Sequence, residues 1–459
     1  MMNAAARSSG TRWSAFWLNP SFENQTRSQS TYAALPNQEP YWRRVPKWAN
    51  VPPRDFLSYN WQRANTVSCR VQLDKFLSAT LPDTLASSAN PLLKHIKTRN
   101  DFINDATQGL SAAPMSIRLT PHILSVIDWT NPLDDPIRRQ FLPIKSAMVP
   151  DHPKLTLDSL HEEADSPVPG LVHRYPDKAL FLATSICPVY CRFCTRSYAV
   201  GANTETISKS PQKPIRKRWE VVFQYIEQTP SLQDIVVSGG DAYYLEPEQI
   251  NLIGERLLSI PHIKRFRFAT KGLAVAPSRI FDPNDAWTSS FIDVCNHGRR
   301  VNKQVSLHTH FNHPNEINWV TRKAAKFLFE KGVIVRNQSV LLKGVNDNVE
   351  TMRKLIRDLA DMHITPYYVY QCDLVRGIED LRTPLSTILD LEQRIRGTLA
   401  GFNTPSFVVD LPGGGGKRLA STYEIYDRQT GISTFKAPGL LGEKGEKIYE
   451  YFDPAPESG

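Results

Sequence analysis

The chain has 459 residues, of which 41% are hydrophobic and 22% charged, so it belongs with globular proteins able to bury a core and not with the disordered or fibrous classes. No stretch approaches the roughly 18 uninterrupted apolar residues of a membrane-spanning helix, which excludes an integral helical membrane protein. The net charge of +9 would suit an anionic partner if it lay on one face, but residues 1–50 hold six basic groups against two acids, so nearly half of the excess sits in the opening segment and a nucleic-acid reading is weakened.

Residues 1–55 are rich in Trp, Arg, Pro and polar residues without sustained periodicity and read as a leader and extended arm. There is no acid before Glu23 and no continuous apolar run, which suits a transit peptide or a disordered tail, and with it a mitochondrial-matrix or a cytoplasmic location. Residues 56–170 read as a helical region in pieces, among them Phe56 to Leu77 and Thr120 to Trp129, broken by Pro-containing loops at Asn131 to Pro136 and Pro167 to Gly170.

From 171 to 425 short apolar runs alternate with helical patterns. Strands are predicted at Ala179 to Ile186, Asp234 to Ser238, Arg265 to Thr270, Gln304 to Thr309, Val333 to Leu341, Pro366 to Gln371 and Ser406 to Val409. One intervening helix is predicted to carry Pro314 in its first turn and to stop at Gly332, and another to be capped by Asn348. Repeated strand–helix units imply a parallel sheet, hence an α/β full or partial barrel with a helical N-terminal extension, whose site collects where strands end and helices begin. Residues 426–459 form a C-terminal segment.

Six cysteines are too few for a disulfide framework, and three of them fall in Cys187-Pro-Val-Tyr-Cys191-Arg-Phe-Cys194, directly after the first barrel strand. Three thiolates at this spacing can hold one centre: a zinc site completed by His308, His310 or His313, or a four-iron cluster with one iron left open. Ser238-Gly239-Gly240-Asp241 ends the second strand; the glycines permit close backbone approach to a ligand and Asp241 can accept from an ammonium group, or the four residues are simply a turn. Asp410-Leu-Pro-Gly-Gly-Gly-Gly-Lys417 is either a flexible linker or a loop that packs on a flat cofactor and brings Lys417, with a lowered pKa, to its aldehyde.

The three-cysteine spacing resembles the radical S-adenosylmethionine enzymes. Joined to the glycine loop ending at Lys417, it resembles the lysine 2,3-aminomutase family, a likeness that extends over about residues 56–440 through His173 to Asp177, Thr195-Arg196, His310 to Glu316, Gly344 to Asp347, Tyr367 to Asp373 and Phe407 to Asp410. The resemblance implies a partial (β/α)6 radical-SAM barrel with a [4Fe-4S] cluster on Cys187, Cys191 and Cys194. It implies S-adenosyl-L-methionine at Ser238, Gly239, Gly240 and Asp241, and pyridoxal 5'-phosphate on Lys417 with Arg174, Tyr175 and Gln338 in the cofactor pocket. Arg196 matches the clamp for the substrate α-carboxylate, and Asp373 and Asp410 the pair that grips the distal ammonium, a pocket that favours a dibasic amino acid.

The activity so implied is that of an L-lysine 2,3-aminomutase, in which a radical abstracts hydrogen from C3 and the amino group migrates from C2 to give L-β-lysine. An electron donor such as a flavodoxin or ferredoxin and a homo-oligomeric state come with it, and no nucleic-acid or membrane partner. Alternatives are the same chemistry on another dibasic amino acid or a protein lysine and, from a different class, a zinc-stabilised basic nucleic-acid-binding protein. The chain departs from the family pattern at Phe193, Ser197, Lys178 and Lys271, and Asn348 stands where some relatives have a zinc-ligand cysteine.

Overall fold

The computed structural model describes residues 39–210 and 214–455. The expected transit peptide or tail up to residue 38 lies outside the described residues. The segment that follows is not an extended arm. Residues Tyr41–Arg44 and Pro46–Trp48 form tight 3-10 turns set by Pro40 and Pro46. They seat Trp42 and Trp48 in the core, at 0% and 1% exposure. Trp42 stacks on Phe56 with ring centroids 4.2 Å apart, and Trp48 packs on Phe76. Turns of this kind carry no 3.6 or 2.0 period, so their burial left no pattern in the sequence.

Six helices follow: α1 Pro53–Phe56, α2 Tyr59–Ala64, α3 Arg70–Thr80, α4 Arg99–Ala112, α5 Pro121–Val126 and α6 Pro136–Phe141. The span Phe56 to Leu77, expected as one helical piece, is broken twice, the second time where Val67 is drawn into an antiparallel bridge with Leu119 through two backbone hydrogen bonds of 2.9 and 2.8 Å. α4 starts at a reciprocal capping box between Thr98 and Asp101, and α6 at Asp135, whose carboxylate accepts from the backbone of Ile137 and Arg138.

The main sheet has nine strands in chain order: β1 Leu171–Val172, β2 Lys178–Thr184, β3 Asp234–Gly239, β4 Arg265–Ala269, β5 Gln304–Thr309, β6 Ile334–Val340, β7 Thr365–Tyr370, β8 Ser406–Leu411 and β9 Gly416–Leu419. β2 to β8 run parallel, and β1 and β9 close the two edges antiparallel. The connecting helices are α7 Arg216–Glu227, α8 Pro247–Ser259, α9 Gly272–Val275, α10 Trp287–Arg300, α11 Trp319–Glu330, α12 Val349–Asp361 and α13 Leu385–Ile395. All seven expected strands are present. Six of them begin strand–helix units, and β8 is a seventh parallel strand that turns straight back into β9. β1 and β9 are not paired with each other, so the barrel is open.

Among the boundaries that differ from expectation, two have a visible local cause. β2 stops short of Ile186, because its register with β3 slips between Leu182 and Thr184. α11 begins at Trp319 rather than near Pro314: Asn318 caps it, accepting from the backbone of Val320 and Thr321, while Pro314–Glu316 is a separate 3-10 turn. Asn348 caps α12 through the backbone N–H of Thr351, and Gly332 follows α11 with φ +68°.

Past residue 425, α14 Glu443–Glu446 and a small antiparallel sheet of β10 Ile425–Asp427, β11 Ile432–Lys436 and β12 Ile448–Phe452 pack on the barrel. Tyr451 ties this sheet to the end of β7. Its hydroxyl donates to the carbonyl of Cys372 at 2.8 Å and accepts from Gln371 at 3.1 Å. No helix among the described residues is long and apolar enough to cross a membrane.

Candidate active site

Strand alternation turns every second side chain into the bore. Val236 and Ser238 of β3, Arg267 and Ala269 of β4, His308 of β5, Gln338 and Val340 of β6, and Tyr368 and Tyr370 of β7 face it, while Ile235, Val237, Phe266 and Phe268 are buried at the intervening positions. A closed eight-stranded barrel fills its bore with apolar layers. This one keeps a cavity of about 360 Å³ whose largely apolar walls carry a set of charged and polar side chains.

All the site residues expected from the sequence line this one cavity: Cys187, Cys191 and Cys194; Ser238, Gly239, Gly240 and Asp241; Arg174, Tyr175, Gln338 and Lys417; and Arg196, Asp373 and Asp410. The cysteine loop and the glycine-tethered lysine therefore face the same space. Among the described lining residues His308 Nε2, Thr309 Oγ1, Asp373 Oδ1 and Asp410 Oδ1 are buried without a hydrogen-bond partner. Leaving such atoms unpaired is costly, which marks the space as built for a polar ligand.

The three cysteines are free and half-buried. Burial pushes their thiols up, Cys191 to about 12, and for Cys187 and Cys191 repulsion from the neighbouring thiols adds to it. A set of three soft donors in that state is stable as thiolates only around a cationic centre. Among the described residues no three His, Cys, Asp or Glu side chains converge as ligands of a single metal ion. The thiols fit the corners of a polynuclear iron–sulfur cluster better than a mononuclear zinc site.

Next to them, the glycines at the end of β3 line the cavity and also have a packing role. A Cβ on Gly239, at φ +114°, would lie 2.1 Å from the Thr184 carbonyl oxygen, so these glycines let β3 close on the backbone after β2 and set the floor under the cysteine loop. Asp241 accepts from the backbone of Tyr243 and Lys271, each at 2.8 Å, and burial raises it to about 6. Its carboxylate has lone pairs left for an ammonium group, so it fits the amino group of S-adenosylmethionine.

Lys417 is placed by the hairpin between β8 and β9, in which Asp410 and Lys417 are direct cross-strand partners. Its Nζ donates to Asp410 Oδ2 at 2.9 Å, and its backbone N–H donates to the Tyr175 hydroxyl at 3.0 Å. Gly416, at φ +69°, comes so near that a Cβ would sit 2.7 Å from that hydroxyl. The lowered pKa expected for Lys417 is not found: burial alone would lower it, but Asp410, Tyr175 and Tyr370 together hold the ammonium well above its ordinary value. Of the other lysines lining the cavity, Lys271 is tied to Glu316 at 2.9 Å and Lys178 lies over the Tyr175 ring. Lys417 fits an aldehyde cofactor, and Arg174, Tyr175 and Gln338 line the same space.

Two further expectations change. Asp410 does not stand free beside Asp373, because it carries Lys417 and lies 3.8 Å from Arg174 Nη1. Asp373 makes no side-chain hydrogen bond to any described residue, and burial, then Asp410, push its carboxyl well up. The fork of Arg196 is not wholly open either: Nε and Nη2 donate to Glu162 at 2.8 and 2.6 Å. Glu162 was missed in the sequence, while His308 was weighed only as a zinc ligand and Tyr367 entered only as part of a family-like stretch. His308 Nδ1 lies 3.2 Å from the Tyr367 hydroxyl, which donates to Gln338 Oε1 at 3.1 Å, a contact between strands that no local spacing encodes.

No family model matches the chain. It is similar to the L-lysine 2,3-aminomutase of Clostridium subterminale, 36% identical over 82% of this chain and 80% of that one, and to that of Fusobacterium nucleatum, 38% identical over 80% and 77%. The glutamate 2,3-aminomutase of Clostridioides difficile is 29% identical over 80% of this chain and 77% of its own length. A radical SAM methyltransferase structure from Sphaerobacter thermophilus covers 52% of this chain and 68% of its own at 17% identity and a TM-score of 0.32, too distant to carry an argument. With identities above one third over most of both chains, this protein belongs to the L-lysine 2,3-aminomutase family.

Proposed function

We propose that the protein is an isomerase that moves the α-amino group of L-lysine to C3, giving L-β-lysine. The observation that carries this reading is the sharing of one cavity by three cysteine thiols, the glycine-tethered Lys417 and two carboxylates, Asp373 and Asp410. An iron–sulfur cluster on Cys187, Cys191 and Cys194 with S-adenosylmethionine at Asp241 supplies the radical when bound, and pyridoxal phosphate on Lys417 supplies the π-system for nitrogen migration.

The protein's own part is position and exclusion. Arg196 takes the α-carboxylate and orients C2 and C3 toward the cysteine wall. Asp373 and Asp410 would share the distal ammonium, and that cation would satisfy the buried oxygens that otherwise lack partners. Tyr175, through the backbone of Lys417, keeps the glycine hairpin against the cavity. The buried walls hold water away from a reactive carbon centre.

The same charges argue against glutamate as substrate. A side-chain carboxylate placed about 4 Å from an ionised Asp would meet a repulsion of about 4 kcal/mol at an effective dielectric near 20, where an ammonium meets an attraction of that size. A low-potential electron donor of the flavodoxin or ferredoxin kind and a homo-oligomeric state accompany this function. Anaerobic incubation with reductant, S-adenosylmethionine and a panel of amino acids, scored by mass-resolved β-amino acid formation, tests it. L-β-lysine should form, and turnover of glutamate or of a neutral amino acid in preference to lysine would overturn the substrate assignment.

A further inference from the structure

The segment 158–165 touches the glycine loop, Arg174 and Arg196. Its carbonyls at Ser159 and Leu160 accept from Gly413 of the glycine loop and from Arg174. Asp165 accepts from Arg174 Nε at 2.6 Å, and on its other oxygen from Lys444 of α14. Glu162, 4% exposed, lines the cavity and holds Arg196 side-on, with Oε2 on Nε and Oε1 on Nη2; Oε2 also accepts from Tyr198 at 3.0 Å. The turn that delivers it is costly: His161 has φ 53°, a left-handed conformation unusual outside glycine, and Asp158 stabilises it by accepting from the backbone of Glu162 and Glu163. Such strain persists where the surroundings over-determine it, and it gathers at functional sites.

We propose that Glu162 is a positioning residue for the substrate carboxylate. A guanidinium has five N–H groups in two forks. Glu162 occupies the side-on fork of Nε and Nη2, which leaves the end-on fork, the second hydrogen of Nη2 and the facing hydrogen of Nη1, to a ligand; Nη1 has no partner among the described residues. The plane and direction of Arg196 are thereby fixed before substrate arrives, so an α-carboxylate is received end-on in one orientation. This rests on the assignment of Arg196 as the carboxylate clamp.

The test is Glu162→Gln in the pyridoxal-phosphate-loaded enzyme, titrated spectrophotometrically with lysine and with its decarboxylated analogue cadaverine, alongside iron and pyridoxal content. Gln keeps the shape but turns one acceptor into a donor that faces an N–H. We expect lysine affinity to fall about tenfold, as for one lost charge-assisted hydrogen bond, while cadaverine affinity changes less than about twofold, so the lysine-to-cadaverine preference collapses. Tyr198→Phe, which removes one donor to Glu162 and leaves the clamp itself, should move the same ratio in the same direction by less, and serves if Glu162→Gln does not fold. Unchanged preference in both variants overturns the proposal. Tighter lysine binding by Glu162→Gln also overturns it, since Glu162 would then be a competitor occupying the fork. A wild-type enzyme that does not prefer lysine to cadaverine would instead refute the clamp assignment beneath it.

Discussion

Asp373 offers the sharpest separation of binding from folding. Its Oδ1 is buried and its side chain makes no hydrogen bond to a described residue, so Asp373→Asn takes nothing from the fold and relieves the repulsion with Asp410. What it removes is one charge-assisted contact to the distal ammonium, worth about 1.5–3 kcal/mol, or about 10- to 150-fold in affinity. Lysine binding, followed by spectral titration of the pyridoxal chromophore, should weaken by that factor with thermal stability equal to or above that of the wild type. Norleucine, of similar shape but without the distal amine, should bind both forms equally and weakly. A variant that binds lysine as the wild type does, or a wild type that accepts norleucine as readily as lysine, would show that this carboxylate does not read the ammonium.

Gly416→Ala would force a Cβ to within 2.7 Å of the Tyr175 hydroxyl at a positive φ, at a cost of at least about 1–2 kcal/mol, and chemical denaturation together with pyridoxal retention should both register it. Trp42→Ala removes a fully buried indole from between the N-terminal turns and Phe56, and urea unfolding should show a loss of about 3–5 kcal/mol; a loss below about 1 kcal/mol would mean that the segment is not docked in solution. His122 is buried and held neutral down to about 3, so only the unfolded chain takes up its proton below pH 6.5, and stability falls as pH falls from about 6.5 toward 3. Between pH 6.5 and 5 this amounts to about 2 kcal/mol, and denaturant titrations of His122→Asn at the two values should show the pH dependence reduced by that amount.

The barrel was legible because its signals are local. Alternating Val, Ile and Phe in runs such as Asp234 to Ser238, helix faces such as Val349, Met352, Ile356 and Leu359, and caps such as Asn348 each state their element within a few residues. The chemistry-bearing residues were legible for a related reason: three thiols within eight positions and four consecutive glycines before a lysine are too costly, or too reactive, to be arbitrary. What could not be read is whatever depends on partners distant in the chain. The tight turns that bury Trp42 and Trp48 have no period, and the break of the helix near Val67 depends on Leu119.

The charge states of the site also belong to the tertiary structure. From the sequence Lys417 was a lysine with a lowered pKa and Asp410 one of a pair for a distal ammonium, but the β8–β9 hairpin sets them directly opposite each other and binds the one to the other. Likewise Arg196 was an open fork until the strained turn at His161 brought Glu162 into half of it from 34 positions away. Sequence by itself determined which groups are available and on which strand ends they sit, because hydrophobic period and backbone preference act over a few residues. Which of those groups neutralise one another, and which are left for a ligand, was decided only by the fold, because Coulomb attraction and hydrogen bonding depend on distance in space and not on distance along the chain.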